Sequence, residues 1–550
     1  MEIVEIRVLD GPNVFLPAPA IKIEFANVED ADLHTLEDAV RAVERDVPEP
    51  VSADPPNREI GLVARSLLLR IVSGLHVAVG EATPENVAVA LESPGHHAVA
   101  YAWSHRAFAT HLAKLARDLA TMALSPVDLP ERIEALRATL TPPFAEDDAP
   151  EMIRDAARSI PIVAVTGTNG KTTTTRLIAA VLRKSGRKVG WCSSVGVYIE
   201  GELVLEGDYT GPSGAARVFA EPDLDVAVLE TARGGILLRG LGYESNDVSV
   251  VTNISADHLG LHGIHTVEGL ARVKHIVPNV TRTGGFAVLN ADDDRVLAMR
   301  EGLKAQPFLI SRSPDNVEVE KHVARGGWAL DTSDDEVRWW HDNKVEPLVA
   351  IDQIPITFGG RAAHMLENAL CAAAACLALG LDAVSVRDGL VAFRNRSDQN
   401  RARLNAYKLN DITVIVDFAH NEAGLRNLLG LARALVVDEG QVIAVIGTAG
   451  DRDDEALRGL AMLGATDADR TIIKDVPHYL RGRELGEMPR IMREAYRAAS
   501  PDDPELVADE RAGFNRALEL SRPGDVIAIM CLEDYNQILE QLDRDGEPIS

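Results

Sequence analysis

The stretch that decides the fold is Pro161-Ile-Val-Ala-Val-Thr-Gly-Thr-Asn-Gly-Lys-Thr-Thr-Thr-Thr175, a buried-strand pattern followed by a glycine-rich turn. Gly167 and Gly170 lack a Cβ atom, so the backbone there can turn tightly and approach a ligand. A helical pattern follows, and the backbone N–H groups at a helix N-terminus favour an anion. Lys171 adds a charge for terminal phosphates, and Thr172 offers a hydroxyl to Mg²⁺. The stretch therefore predicts a site for ATP.

The spacing of this loop departs from the general phosphate-binding pattern G-x-x-x-x-G-K-[ST], because Val165 stands where the first glycine belongs. A plain glycine turn with a surface lysine is the alternative interpretation. The strand pattern before the turn and the helix pattern after it favour the phosphate site.

Length and composition indicate a soluble globular protein of several domains. The 550 residues suggest about three domains at the usual ~150 residues each. Hydrophobic residues make up 46% of the chain and charged residues 25%. The net charge of −28 disfavours nucleic acid or an anionic membrane as a general partner, because long-range repulsion opposes both. A solubilising acidic surface is the simpler interpretation of that charge.

The cysteines and the amino terminus favour a cytoplasmic protein. Four cysteines without metal-ligand spacing make a disulfide framework improbable and fit a reducing compartment. Residues 1–7 alternate apolar with charged side chains, which predicts a strand and not a secretory signal. No segment approaches ~18 uninterrupted apolar residues, so we expect no membrane span.

The rhythm of apolar runs predicts an α/β protein whose first unit, residues 1–125, is a small α+β domain. Prolines and acidic residues in 126–158 indicate a linker that contains some helix. In the first unit we expect strands at Ile3–Val8 and Ala20–Phe25 and helices near Leu36–Val47 and Ile60–Leu75.

Strand and helix patterns alternate over residues 159–400, which predicts a central P-loop-type ATPase domain with a mainly parallel sheet. Ligands of such sheets bind at the carboxyl ends of the strands. Residues 307–358, which contain three tryptophans, predict a β-rich insertion. A second α/β rhythm over residues 401–550 predicts a C-terminal Rossmann-like domain. Its expected strands are Ile412–Val416, Val442–Ile446, Arg470–Ile473 and Val526–Met530.

Phosphate transfer also requires Mg²⁺ ligands beside the loop. Glu230 directly follows a predicted strand, Asp225–Leu229, and precedes the glycine turn that contains Arg233. Such a glutamate is ordinarily solvated, but at the carboxyl edge of the same sheet it becomes a candidate metal ligand. Lys274 lies on a predicted helix, where an exposed lysine is the ordinary alternative.

Two histidines in the loop after the next strand have the i,i+4 spacing of a zinc pair, His258 and His262. Gly260 and Gly263 disfavour a helix there, and no third protein ligand is evident. We therefore favour His258 as a ligand of a second Mg²⁺ and treat His262 as a loop residue.

The order of these motifs resembles that of the Mur ligase family. The matching residues are Thr166-Gly-Thr-Asn-Gly-Lys-Thr172, Glu230, Asp257-His258, Lys274, Asn368, Arg403 and Asp417-Phe-Ala-His-Asn421. Within the family the chain is most similar to the C-terminal half of cyanophycin synthetases. That similarity rests on Leu229-Glu-Thr-Ala-Arg-Gly-Gly-Ile-Leu237, Gly450-Asp-Arg-Asp-Asp454 and Lys474-Asp-Val-Pro-His-Tyr-Leu-Arg-Gly-Arg483, with a weaker one at Leu9-Asp-Gly-Pro-Asn13. The ATP-grasp domain of those enzymes has no counterpart in this sequence.

The resemblance implies the following ATP and Mg²⁺ contacts. The phosphates would be held by Thr168, Asn169, Gly170, Lys171, Thr172 and Thr173. One Mg²⁺ would lie on Thr172 and Glu230, and a second on His258 and Lys274, a position where many family members carry a carbamylated lysine. The rest of the nucleotide would be contacted by Asn368, Arg403, Asp417 and His420.

For the other substrates, the resemblance implies that the loop containing Thr210 and Ser213 faces a carboxylate substrate, and Arg233 is a further candidate for substrate binding. Arg452, Arg481 and Arg483 follow strands of the C-terminal domain. A guanidinium can clamp a carboxylate bidentately, so these arginines suit the carboxylate of an incoming amino acid. Surface arginines are the alternative interpretation.

The resemblance implies an ATP-dependent amide ligase that activates a carboxylate as an acyl phosphate and joins it to an amino acid or other amine. Its expected partners are amino acids or peptides, and a homo-oligomer fits the family. Two alternatives stay open: a catalytically silent Mur-like binding or assembly protein, and a P-loop kinase or ATPase without ligation. The silent-protein alternative is disfavoured because the candidate catalytic residues are all present: Lys171, Thr172, Glu230 and His258. The kinase or ATPase alternative is disfavoured because the sequence predicts a further, Rossmann-like domain that such enzymes do not need.

Overall fold

The structure, a computed structural model, describes residues 1–44, 59–124, 127–145 and 147–549. In these ranges the amino-terminal part contains a four-stranded antiparallel sheet in the order β1-β2-β4-β3. Strand β2 shows the alternation that makes such a sheet, since Ile21, Ile23 and Phe25 are buried while Lys22 and Glu24 point the other way and pair with each other. The elements are β1 (Glu2–Leu9), β2 (Ala20–Ala26), α1 (Asp30–Val43), α2 (Ile60–Val79), β3 (Asn86–Ala90), β4 (His97–Ala102), α3 (Arg106–Ala120) and α4 (Leu129–Ala138).

Helix α2 is the core helix of this amino-terminal domain. Among the described helices it alone is long and apolar enough to cross a bilayer by length and composition, whereas the sequence predicts no span. In the structure it packs against α1, α3 and the sheet, and Leu68, Ile71 and Leu75 are fully buried there. The predicted end of α1, up to Val47, lies outside the described residues.

The predicted linker over 126–158 is partly structured. Helix α4 places Leu129 and Leu136 in the core of the amino-terminal domain, so that this part extends the domain. The predicted boundary between residues 125 and 126 lies outside the described residues.

In the described ranges, the central part forms an eleven-stranded sheet in the order β15-β14-β13-β12-β11-β10-β5-β9-β6-β7-β8. The strands from β13 to β6 are parallel, and antiparallel strands extend both edges. The strands are β5 (Ile162–Thr166), β6 (Val189–Cys192), β7 (Gly196–Ile199), β8 (Glu202–Glu206), β9 (Val226–Glu230), β10 (Asn246–Val251), β11 (Thr281–Asn290), β12 (Gln306–Ile310), β13 (Trp328–Ser333), β14 (Glu336–His341) and β15 (Lys344–Ala350). The helices are α5 (Lys171–Lys184), α6 (Pro212–Phe219), α7 (Arg233–Arg239), α8 (Val267–Asn279), α9 (Asp294–Ala298), α10 (Val317–Val323), α11 (Ala363–Ala378) and α12 (Ala383–Ala392).

The β-rich segment predicted over 307–358 adds strands to the edge of this central sheet and does not form a separate insertion. Strand β12 continues the parallel order, and β13 to β15 form a meander that turns the edge antiparallel. Trp328 and Trp339 pack edge-to-face with ring centroids 5.7 Å apart, which joins two strands of the meander.

The C-terminal part forms, within the described residues, a seven-stranded sheet in the order β20-β19-β18-β21-β17-β16-β22. Five of these strands are parallel, as in a Rossmann-like domain, and the α/β fold class predicted from the sequence is confirmed. The elements are β16 (Asn405–Leu409), β17 (Ile412–Asp417), α13 (Glu422–Leu435), β18 (Val442–Ile446), α14 (Asp454–Asp467), β19 (Arg470–Lys474), α15 (Glu487–Ala499), β20 (Glu505–Val507), α16 (Glu510–Leu520), β21 (Val526–Met530), α17 (Tyr535–Asp545) and β22 (Glu547–Ile549).

Candidate active site

The glycine loop joins β5, a central strand of the sheet, to α5. Gly167 and Gly170 have φ angles of +142° and +85°, a region that favours glycine. A Cβ atom on Gly170 would lie 2.1 Å from Oδ1 of Asn368, and one on Gly167 would lie 1.9 Å from Oγ1 of Thr252. The Lys171 ammonium folds back over the loop and donates to the Thr168 carbonyl at 2.8 Å. The loop is thus compact, and its conformation depends on both glycines.

We expect Gly170→Ala to weaken nucleotide binding by at least about tenfold and to destabilise the protein, because the new methyl group combines a strained φ with a steric clash. Gly186→Ala is the matched control, since Gly186 also has a positive φ of +89° but nothing lies within 4 Å of its would-be Cβ. The control should lower stability by about 1 kcal/mol and leave affinity unchanged. Calorimetric titration with ATP and thermal unfolding measure both effects. Equal affinities of the two variants would contradict the expectation.

Thr172 and Glu230 form the oxygen-rich centre of the cleft. The Thr172 hydroxyl donates to Oε1 of Glu230 at 3.2 Å, and Ser194 at the end of β6 donates its N–H to Oε2 at 3.3 Å. Burial raises the pKa of Glu230, although Lys171 and Arg403 nearby act in the opposite direction. A buried carboxylate beside a hydroxyl is the hard oxygen donor set that suits Mg²⁺, and a bound cation would offset the cost of burying its charge.

Lys274 is buried on α8, so the alternative interpretation, an exposed lysine on the surface of a helix, does not hold. Its amine donates to the Gly167 carbonyl at 2.6 Å, so α8 contacts the phosphate loop directly. Burial lowers the pKa of Lys274 well below its usual value, and the neighbouring Lys171 adds to the effect. Glu92 of the amino-terminal domain accepts hydrogen bonds from the backbone N–H groups of His265 and Thr266, where α8 begins. The amino-terminal domain therefore holds the helix that carries Lys274.

His258 and His420 meet at the junction of the central and C-terminal domains. One ligand atom each from Asp257, His258 and His420 lies within 4.8 Å of the others. The Arg452 guanidinium lies 2.6 Å from Nδ1 of His258 and 3.4 Å from Oδ1 of Asp257. A hydrogen bond from His258 lowers the pKa of Asp451 to about 2. His258 and His262 both have left-handed backbone conformations, so the loop offers no helical zinc pair.

Arg403 brings the C-terminal domain to the phosphate loop. Its guanidinium lies 3.5 Å from Oγ1 of Thr172 and 4.9 Å from the ring centroid of Phe418. Asp417 accepts from the N–H of Leu404 at 2.8 Å and so fixes the turn beside Arg403. Asn368 contacts the loop from α11. Asp417 and Asn368 support the site from behind and do not line its cavities.

Two adjoining cavities surround these groups. One, of about 480 Å³, lies between the loop and the C-terminal domain and is lined by Thr173, Glu230 and Arg403 among others. The second, of about 560 Å³, extends toward the amino-terminal domain and is lined by Ser213, Arg233 and Lys274 among others. The residues that line both are Thr168, Lys171, Asp208, Thr210, Ala232, His258, His420 and Asp451. The glycine loop therefore faces both cavities, since Thr168 and Lys171 are among the shared residues.

The four predicted substrate arginines lie in three different places. Arg233 donates to the His258 carbonyl at 2.6 Å inside the second cavity, while Arg452 and Arg481 line the first. Arg483 lines neither cavity. It donates to the Arg452 carbonyl at 2.7 Å and pairs with Glu487 at 2.8 Å, so the structure places it in the support of the loop.

Ser194, Asp208 and Tyr479 line the first cavity, but the sequence does not single them out. Ser194 follows β6, a parallel strand of the same sheet, and that position is the signal that could have found it. Asp208 lies in an irregular segment without a comparable pattern, and Tyr479 ends a short 3-10 helix inside the family motif Lys474–Arg483.

Comparison with known proteins assigns the fold to a family. Family models match residues 165–376, as the Mur ligase middle domain, and residues 401–531, as the Mur ligase glutamate ligase domain. A cyanophycin synthetase from Synechocystis sp. is 40% identical over 361 residues, which cover 66% of this chain and 41% of that protein. A UDP-N-acetylmuramoyl-L-alanyl-D-glutamate--2,6-diaminopimelate ligase from Parabacteroides distasonis is 29% identical over 396 residues, 70% of this chain and 75% of its own.

Among solved structures, E. coli FolC in complex with DHPP and ADP superposes with a TM-score of 0.51 and 21% identity, covering 70% of this chain and 89% of its own. That likeness concerns the fold. The chain spans about two fifths of the length of the cyanophycin synthetases that it matches. The two matched domains are consecutive and together make up more than half of the chain, so this protein belongs to the Mur ligase family.

Proposed function

We propose that the protein is an ATP-dependent amide ligase that joins a carboxylate to an amino acid or another amine and releases ADP and phosphate. The observation that carries the proposal is the convergence of three elements on one hydroxyl. Thr172 of the phosphate loop lies 3.2 Å from Glu230 of the central sheet and 3.5 Å from Arg403 of the C-terminal domain. Relatives named as ligases support it.

In the first step a carboxylate oxygen of the acceptor attacks the γ-phosphorus of ATP. The new P–O bond forms an acyl phosphate as the bond to the ADP oxygen breaks. Lys171 neutralises charge on the transferred group, and Thr172 and Glu230 would hold Mg²⁺. Bound Mg²⁺ supplies Lewis-acid stabilisation of the phosphate charge. Arg403 covers the nucleotide from the C-terminal domain.

In the second step the amine attacks the acyl carbon, a tetrahedral intermediate forms, and phosphate leaves with the bonding electrons while the amine loses a proton. Arg452 and Arg481 in the first cavity suit the carboxylate of the incoming amino acid. Closure of the C-terminal domain excludes water, which would otherwise hydrolyse the acyl phosphate. Amino acids or peptides are the substrate class that fits this mixture of cationic and anionic side chains.

Incubation with ATP, Mg²⁺ and panels of carboxylates and amines tests the proposal. ADP release that requires a particular substrate pair, with a new amide detected by mass spectrometry, is the expected result. AMP as the product would contradict the acyl-phosphate route. ADP without any conjugate would indicate an ATPase or kinase, and no nucleotide turnover with any pair would indicate a silent binding protein.

We expect Lys274 to be carbamylated, because burial keeps its amine neutral at a lower pH than usual and only the neutral amine reacts with CO₂. Isotope-labelled bicarbonate should give a carbamate signal by NMR that strengthens as pH rises and disappears in Lys274→Ala. Exposed Lys184 is the control and should stay unmodified. A Lys274→Ala variant with full activity and an unchanged spectrum would contradict this role.

A further inference from the structure

A third cavity, of about 770 Å³, lies where the central domain meets the C-terminal domain and shares no lining residue with the two cavities of the active site. Helix α5 forms one wall, strands β6 to β8 form another, and the segment 397–401 and α17 close it from the C-terminal side. The central and C-terminal domains thus enclose a space that is separate from the active site.

The base of this cavity contains a buried cation, Arg176, that forms no ion pair with the described residues, although the Glu230 carboxylate acts on it at longer range. Arg176 is 6% exposed, and its nearest hydrogen-bonding groups are neutral, the Asn400 amide oxygen at 3.4 Å and the Tyr198 hydroxyl. No carboxylate of the described residues lies within ion-pairing distance of it. A buried charge without an ion-pair partner is costly, and an anion bound beside Arg176 would offset that cost.

Two stacked aromatic side chains, Trp191 and Tyr198, line the cavity together with Arg176. The rings of Trp191 and Tyr198 are stacked, with centroids 4.9 Å apart and an interplanar angle of 3°. Trp191 Nε1 is buried and has no hydrogen-bond partner among the described residues. Buried indole N–H groups usually find a partner, so this N–H is an unpaired donor on a side chain that lines the cavity.

The carboxylates of the cavity are at its rim, away from the buried base. Glu206, Asp398 and Glu540 are exposed, and Asp398 pairs with Arg396 at 3.3 Å. Arg183 and Lys184 add two exposed cations on α5. The buried end is therefore cationic and aromatic.

We propose that this cavity binds a small planar organic anion, an aromatic ring that bears a phosphate or a carboxylate group. The anionic group would bind Arg176 and the Trp191 N–H, and the ring would lie beside the stacked aromatic pair. Because α5 belongs to the central domain and α17 to the C-terminal domain, the ligand bridges the two domains and favours their closed arrangement. This inference does not depend on the proposed ligase reaction.

Calorimetric titration with phenyl phosphate and with benzoate, in the presence of saturating ADP and Mg²⁺, tests the site. Saturable one-to-one binding of at least one probe is expected. Arg176→Met should weaken it by about tenfold or more and raise the melting temperature, because the variant removes a buried unpaired charge. Arg187→Met, an exposed arginine just beyond α5, is the matched control and should change neither quantity.

Trp191→Phe provides a second variant that keeps an aromatic ring, although a smaller one, and lacks the indole N–H; it should weaken binding by several-fold. Failure of both probes to bind would overturn the inference. Competition between the probe and ADP would also overturn it, because the cavity would then be part of the nucleotide site. Unchanged binding in both variants, or a lower melting temperature of Arg176→Met with unchanged binding, would assign these residues a purely structural role.

Discussion

Lys171→Ala should lower the rate of amide formation by at least about a hundredfold, because preorganised charge at a phosphoryl-transfer centre contributes on the order of 10² to 10³ in rate. The side chain lies over the loop and lines both cavities of the active site. Within the described part of the chain its ammonium donates to the Thr168 carbonyl of the same loop, so its loss should leave the protein folded. Coupled measurement of ADP release and conjugate formation gives the rate, and circular dichroism with thermal unfolding reports the fold.

Lys188→Ala is the matched control for this variant. Lys188 is exposed at the start of β6 and lines neither active-site cavity, so its loss should leave the rate within about twofold. Glu230→Ala should lower turnover at least as strongly as Lys171→Ala does, since it removes the carboxylate beside Thr172. Near-normal activity of either Lys171→Ala or Glu230→Ala would refute the assignment of the site.

Glu510→Ala should destabilise the protein by about 3–5 kcal/mol, the range for breaking a buried ion pair by removing one partner. Glu510 and Lys474 are both fully buried, and Nζ lies 2.7 Å from Oε1. The Glu510 carboxylate also accepts the backbone N–H groups of residues 532 to 534, the turn that follows β21. The variant leaves an ammonium and three N–H groups without their acceptor.

Denaturation in urea measures this effect, with the transition followed by circular dichroism. Glu519→Ala is the control on the same helix, because Glu519 is 65% exposed and pairs only with Arg516, so its loss should change stability by less than about 0.5 kcal/mol. The variant Lys474→Met/Glu510→Leu should recover part of the stability, since an apolar pair has no charge to bury. A loss below about 1 kcal/mol in Glu510→Ala would contradict the expectation.

This ion pair changes the interpretation of one family motif. Lys474 begins the stretch Lys474-Asp-Val-Pro-His-Tyr-Leu-Arg-Gly-Arg483, part of the resemblance to cyanophycin synthetases. In the structure Lys474 and Arg483 have structural roles, while Tyr479 and Arg481 between them line the first cavity. A motif can therefore combine residues that build a loop with residues that face a ligand, and sequence alone does not separate them.

Local patterns determined a large part of the fold. Strands β18 and β21 begin and end where their apolar runs do, because a strand buried on both faces needs a continuous apolar run. The glycine loop and Glu230 were predictable for a related reason: both follow such strands, and the carboxyl ends of parallel strands share one edge of the sheet. The roles of these side chains in catalysis stay predictions.

The sequence by itself determined the order of the elements, the family and the glycine loop of the active site, because apolar runs and short motifs can be recognised along the chain without knowing which of them meet in space. Only the tertiary structure decided which distant side chains meet there. In the structure Lys274 is buried against Gly167, and Glu92 lies at the start of α8. Arg176 and Trp191 line the same cavity, which is separate from the active site. Burial and pairing arise from the packing of whole domains, and no local pattern of side chains encodes them.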